Sequence, residues 1–117
     1  MPLLAHLLVA VVALLHVYFL VLEMFLWTKP LGLKTFRNTP EKAETTRVLA
    51  ANQGLYNGFL AAGLGWSAAT GRHDVVLFFL GCVVVAALYG AYSVSRRIFF
   101  VQGVPAIAAI AAVLLAG

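Results

Sequence analysis

The stretch Asn52-Gln53-Gly54-Leu55-Tyr56-Asn57-Gly58 lies inside a mostly apolar run from Val48 to Ala69, and its reading decides the fold. Roughly 20 residues at 1.5 Å each cross about 30 Å of hydrocarbon, so the run is long enough to span a bilayer. On a helical wheel at about 100° per residue, Asn52, Tyr56, Gln53 and Asn57 fall within one arc of about 140°. Gly54, Gly58, Ala61 and Gly65 fall on the opposite side. Such a helix has two faces unsuited to lipid. One is polar and requires hydrogen-bond partners, and the other is small and lets a second backbone approach closely.

The surrounding composition agrees with a membrane setting. Of 117 residues, 63% are hydrophobic and only 10% are charged, and the mean hydropathy is +0.99. These are not the values of a soluble domain, and by length the chain is expected to form one domain, residues 1–117. The formal net charge of +4 is explained by the basic bias of membrane-protein loops, so nucleic acid is not an expected partner. Cys82 has no second cysteine to pair with, which excludes an intrachain disulfide and CxxC redox chemistry and leaves it as a small buried hydrophobe.

Four helices are expected, at about residues 3–28, 40–70, 75–97 and 103–116. The first lacks the basic start and small-residue cleavage site of a secretory signal peptide and is read as a retained span. Thr39-Pro40-Glu41 has the form of an N-cap, a proline at the first helical position and an acid in the first turn. Thr70-Gly71 is a helix stop. The last helix is short, or it begins nearer Ile98 with a kink at Pro105. The connection after the first helix carries five basic residues, Lys29, Lys34, Arg37, Lys42 and Arg47. Arg96 and Arg97 mark the third connection, and Arg72 alone marks the second. The fold class expected is therefore an all-α, four-helix transmembrane bundle with loops 1 and 3 cytoplasmic and both termini outside, multi-pass in a bacterial inner membrane.

Ionisable groups inside a span usually face a bundle interior or a watery cavity. His16 and Glu23 are seven residues apart and share one face of the first helix. With the assigned topology, Glu23, Asn52, Gln53, Tyr56, Asn57, Tyr89, Tyr92, Arg96 and Gln102 all fall in the cytoplasmic half of the membrane, with His16 nearer the middle. One polar pocket opening to the cytoplasm is the corresponding expectation. If the pocket is catalytic, Glu23 is the candidate acid or base and Tyr56 positions or protonates the substrate. Ligand contacts then fall to His16, Asn52, Gln53, Asn57, Tyr89, Tyr92, Arg96 and Gln102. No metal is expected, because His6 and His73 are placed near the opposite face from His16 and paired cysteines are lacking. Nor does the chain carry GxSxG, P-loop or HExxH patterns.

The run His16-Val17-Tyr18-Phe19-Leu20-Val21-Leu22-Glu23-Met24-Phe25-Leu26-Trp27, the stretch Val48 to Ala62 and Gln102-Gly103-Val104-Pro105-Ala106 together resemble a family of small bacterial four-helix integral membrane proteins of unknown function. That resemblance covers essentially the whole chain and implies no activity. In architecture the chain is also similar to the membrane-associated eicosanoid and glutathione metabolism (MAPEG) proteins, a likeness that implies a cytoplasm-facing site and trimeric assembly. Their second helix typically carries Arg-Ala-His-x-Asn-x-x-Glu. Here Arg47-Val48-Leu49-Ala50-Ala51-Asn52-Gln53-Gly54-Leu55-Tyr56 lacks the histidine and the acid, so the motif does not support glutathione and no cofactor is expected.

The reading that joins these observations is a membrane protein that binds or acts on a small amphipathic molecule or lipid, as a homo-oligomer of two or three copies. The alternatives are a structural or interaction protein that oligomerises through its small-residue helix faces, and a small transporter subunit.

Overall fold

The computed structural model describes residues 1–116 and is all-α. Five helices follow in order: α1 Leu3–Met24, α2 Pro30–Phe36, α3 Pro40–Ala69, α4 His73–Ser93 and α5 Arg96–Leu115. Among the described residues, α1, α4 and α5 are long and apolar enough to cross a membrane. The chain is thus a membrane protein by length and composition of its helices. Helix α3 has 30 residues, about 45 Å, which is ample length. Its amides and glycines reduce its apolar character, and this keeps it out of that set although it was expected as a span.

The ends of the helices follow local chemistry. Thr39 Oγ1 accepts the Lys42 N–H at 3.2 Å, an N-cap satisfying one of the orphan donors of the first turn of α3. After Ala69 the chain turns at Gly71, whose φ is +72°, and Arg72 N–H returns to the Ser67 carbonyl at 2.9 Å. Glycine takes that left-handed conformation without steric cost. Arg72 then grips Asp74 through Nε at 3.2 Å and Nη2 at 3.0 Å, which holds the guanidinium above its ordinary pKa.

Of the two starts the sequence reading allowed for the last helix, the structure takes the earlier one, and it adds a helix in the connection after α1. The last helix begins at Arg96, with Ser95 Oγ accepting Arg97 N–H, and its first α-turn passes into a π-helical stretch at Phe99–Gly103. There Val104 N–H bonds the Phe99 carbonyl, one residue beyond the α register. The slip lies directly before Pro105, whose ring clashes with an α-helical carbonyl four residues back, so the widened turn replaces a kink at the proline. The added helix is α2, which lies in the connection that the sequence reading gave only as a basic link.

The described chain forms two compact units. In the first, Met1–Leu15 joins the residues from Leu60 onward. Its core gathers Ala5, Val9 and Val12 of α1, Leu64 of α3, Val76, Leu80 and Val83 of α4, and Ala106, Ala109 and Val113 of α5. Small residues allow these helices to meet closely. Gly103 is buried, and a Cβ there would lie 3.1 Å from the Ala87 Cβ. The amine of Met1 lies 3.4 Å from His73 Nε2, and Pro2, Leu4 and Ala5 border Ala112, Leu115 and Ala116. The amino-terminal residue, the α3–α4 turn and the end of α5 therefore share one end of this unit. Outside the core, Leu4, Leu7, Val11 and Leu14 are exposed, as on a lipid-facing helix.

The second unit is His16–Phe59. Here α2 folds back on the end of α1, and Gly32 is where they meet, since a Cβ would collide with the Leu26 carbonyl. The Trp27 ring lies 4.9 Å from that of Phe36 and its Nε1–H donates to Thr46 Oγ1 at 3.1 Å, joining both helices that follow. Gly32→Ala should destabilise the folded protein in detergent by about 1–3 kcal/mol through overpacking against backbone and red-shift Trp27 emission in a Trp66→Phe background. Unchanged melting and emission would show that α2 can move off Leu26 without loss.

Candidate functional site

The second unit contains the polar constellation of the chain. Leu20, Glu23 and Met24 of α1 pack on the glycine face of α3. A Cβ on Gly54 would lie 2.7 Å from Met24 Cγ and 3.1 Å from Glu23 Cβ, and one on Gly58 would lie 2.7 Å from Leu20 Cδ1. This close approach explains why both helices carry what they do. Glycine at 54 and 58 removes the side chains that would hold the axes apart, and the α1 side chains fill the space left.

Glu23 is buried at this contact, with 5% exposure, and Asn57 Nδ2–H donates to its Oε1 at 2.5 Å. On the wheel of α3, Asn57 stands about 60° from Gly54 whereas Asn52 stands about 160° away. The asparagine nearest the glycine face is therefore the one that reaches α1. His16, two turns before Glu23, is fully buried, and its ring meets the edge of Phe19 at 5.3 Å and 74°. Among the described residues every buried side-chain nitrogen and oxygen has a hydrogen-bond partner. The arrangement at Glu23 is thus a polar clasp between two helices, with Glu23 buried and Asn57 half-buried.

The remaining polar residues of the stretch behave differently. Asn52 and Gln53 are exposed, and Asn52 Nδ2–H is donated to the carbonyl of Val48 in its own helix at 2.9 Å. Tyr56 is 63% exposed and its ring meets the edge of Phe59 at 5.7 Å. Glu23 and Tyr56, the paired catalytic candidates, accordingly stand on different sides of α3. Of the four polar side chains expected to line one cavity, Asn57 turns inward, while Asn52, Gln53 and Tyr56 form an outward face. The wheel carried both faces, but only packing decided that α1 takes the glycines.

Tyr89, Tyr92, Arg96 and Gln102 belong to the other unit. Tyr89, Tyr92 and Arg96 are exposed there, and Gln102 is half-buried within the π-helical turn. An open apolar groove of about 590 Å³ runs along α4, lined by Leu77, Phe78, Gly81, Cys82, Val85 and Ala86. Among the described residues, no three of His, Cys, Asp and Glu gather closely enough to share a metal ion. One contact that sequence reasoning missed is Trp27 to Thr46, because nothing in a linear pattern indicates that α2 brings the two together.

The model of a family of proteins of unknown function, DUF1304, matches residues 10–114. The chain belongs to the DUF1304 family. The match includes every residue of the clasp and of the outward face. A relative from Lactococcus lactis subsp. lactis (strain IL1403), the uncharacterized protein YpaA, is 31% identical over 114 residues, covering 94% of this chain and 96% of the relative. No solved structure matches. These comparisons lend no support to the likeness to the eicosanoid and glutathione metabolism proteins.

The clasp has a measurable consequence. Asn57→Leu leaves the Glu23 carboxyl buried without its donor and should cost about 1.5–3 kcal/mol of stability. Glu23→Gln keeps an acceptor for Asn57 and should cost less. Chemical or thermal unfolding in detergent compares the two, and equal losses would show that the hydrogen bond does not hold the helices.

Proposed function

We infer that this is a multi-pass inner-membrane interaction protein in which α3 joins α1, α4 and α5 as a fourth span, with loops 1 and 3 cytoplasmic. It self-associates through the Asn52, Gln53 and Tyr56 face of α3. The observation that carries this reading is the outward exposure of those three side chains on a helix whose other face is already filled by α1. Amides left to hydrocarbon are unfavourable, and Asn, Gln and Tyr each both donate and accept, so the face complements a second copy of itself.

Interhelical polar contacts in membranes average about 0.6 kcal/mol each, so a few of them suit a dimer or trimer that depends on concentration. The clasp at Glu23 and Asn57 then serves as the rigid support that fixes the rotation of α3. A small amphipathic molecule or lipid is the second reading. It is favoured by the 63% exposure of Tyr56, which would present a phenol beside two amides to a ligand headgroup. Glu23 plays no part in either binding event, being enclosed by Asn57, Gly54 and Met24.

Replacing Asn52 and Gln53 together with Leu should weaken self-association by about 1–2 kcal/mol, a tenfold order of change in dissociation constant. Analytical ultracentrifugation or single-molecule photobleaching in neutral detergent and in bilayers reads it directly. A wild-type protein that stays monomeric in bilayers at high protein-to-lipid ratio would remove the self-association reading. A bound small molecule lost on Tyr56→Phe, in a protein that remains monomeric, would establish the second.

A further inference from the structure

We propose that α2 is a docking surface for anionic lipid headgroups, built on the end of α1 and independent of the α3 face. Helix α2 starts six residues after Met24, so it lies where an α1 span leaves the hydrocarbon. Its inner side is occupied: Gly32 sits against the Leu26 carbonyl and Phe36 against Trp27, which is itself bonded to Thr46. This leaves an outer side on which Leu31, 47% exposed, stands one turn from the exposed Lys34. Exposed Lys29 and Arg37 flank the helix at its two ends.

Charge selects the occupant. From Phe25 to Pro40 the chain has no acid. Among the described residues the ion pairs are Arg47 with Glu44 and Arg72 with Asp74, so the three cations around α2 have no carboxylate partner. A small soluble anion would meet the cations but leave Leu31 in water. The boundary of an anionic bilayer meets both, since apolar side chains enter the acyl boundary while Lys and Arg remain among the headgroups.

The backbone provides a way to separate charge from folding. Arg37 closes α2 in the left-handed region, at φ 52° and ψ 46°, with its N–H returned to the Leu33 and Lys34 carbonyls. Asn38 N–H completes the end on Leu33 O at 2.9 Å. Glycine adopts that conformation more easily than arginine. Arg37→Gly therefore removes a charge while easing the backbone, and Arg37→Lys keeps the charge.

The test is native mass spectrometry of the full chain in neutral detergent, titrated with phosphatidylglycerol or with phosphatidylcholine of the same acyl chains. The wild type and Arg37→Lys should retain phosphatidylglycerol in preference, and Lys34→Gln combined with Arg37→Gly should reduce that preference by about fivefold per charge removed. Unchanged Trp27 emission and circular dichroism verify that the variants are folded. Equal retention of the two lipids would overturn the proposal. So would a preference abolished by replacing Arg96 and Arg97 with Gln but untouched at α2. Displacement of the lipid by inorganic phosphate would also overturn it, by assigning a simple anion site instead.

Discussion

In hydrocarbon a polar side chain has no water to fall back on, and the second unit is arranged around that constraint. Glu23 is the penultimate residue of the apolar helix α1. The structure satisfies it by bringing α3 so close that Asn57 can donate to it. The close approach of the helices comes first. Gly54 and Gly58 remove the side chains that would separate the helices, Leu20 and Met24 fill the space, and only then is the amide within reach of the carboxyl. Glycine contact and polar contact reinforce each other, because the first excludes lipid from the second.

Helix α2 extends the same logic to the membrane boundary. A loop of basic residues would satisfy the charge bias of membrane topology with no structure at all. Here the loop is folded: Gly32 closes on the Leu26 carbonyl, and Trp27 bridges Phe36 and Thr46. The cations of residues 29–37 are consequently held by a short helix instead of a flexible chain. In the other unit, alanine and glycine play the corresponding part, with Ala87 meeting Gly103 and Ala106 and Ala109 in the core. The π-helical turn before Pro105 keeps α5 continuous from Arg96 where a strict α-helix would place a carbonyl against the proline ring.

The helical character of the chain was legible because its signals are local. Thr39 caps α3 as its side-chain chemistry requires, and Gly71 ends the helix region in the left-handed conformation. Boundaries that depend on neighbours were less legible. Val94 ends α4 and Ser95 caps α5, whereas the sequence pattern left open whether the last helix is short or begins nearer Ile98. Helix α2 has only seven residues and owes its stability to Leu26 and Trp27, which no propensity sum over seven residues conveys.

By itself the sequence determined the all-α class, the membrane setting and the two faces of α3, since hydropathy and a period of 3.6 residues are properties of the chain alone. It also determined that His16 and Glu23 share a face of α1. Tertiary structure decided which face of α3 meets that one. The glycine face packs on α1, carrying Asn57 inward and turning Asn52, Gln53 and Tyr56 out. The physical reason is that a helical wheel records angles within one helix, whereas burial depends on how closely two helices can approach, and at Gly54 and Gly58 that distance is set by the atoms that are missing.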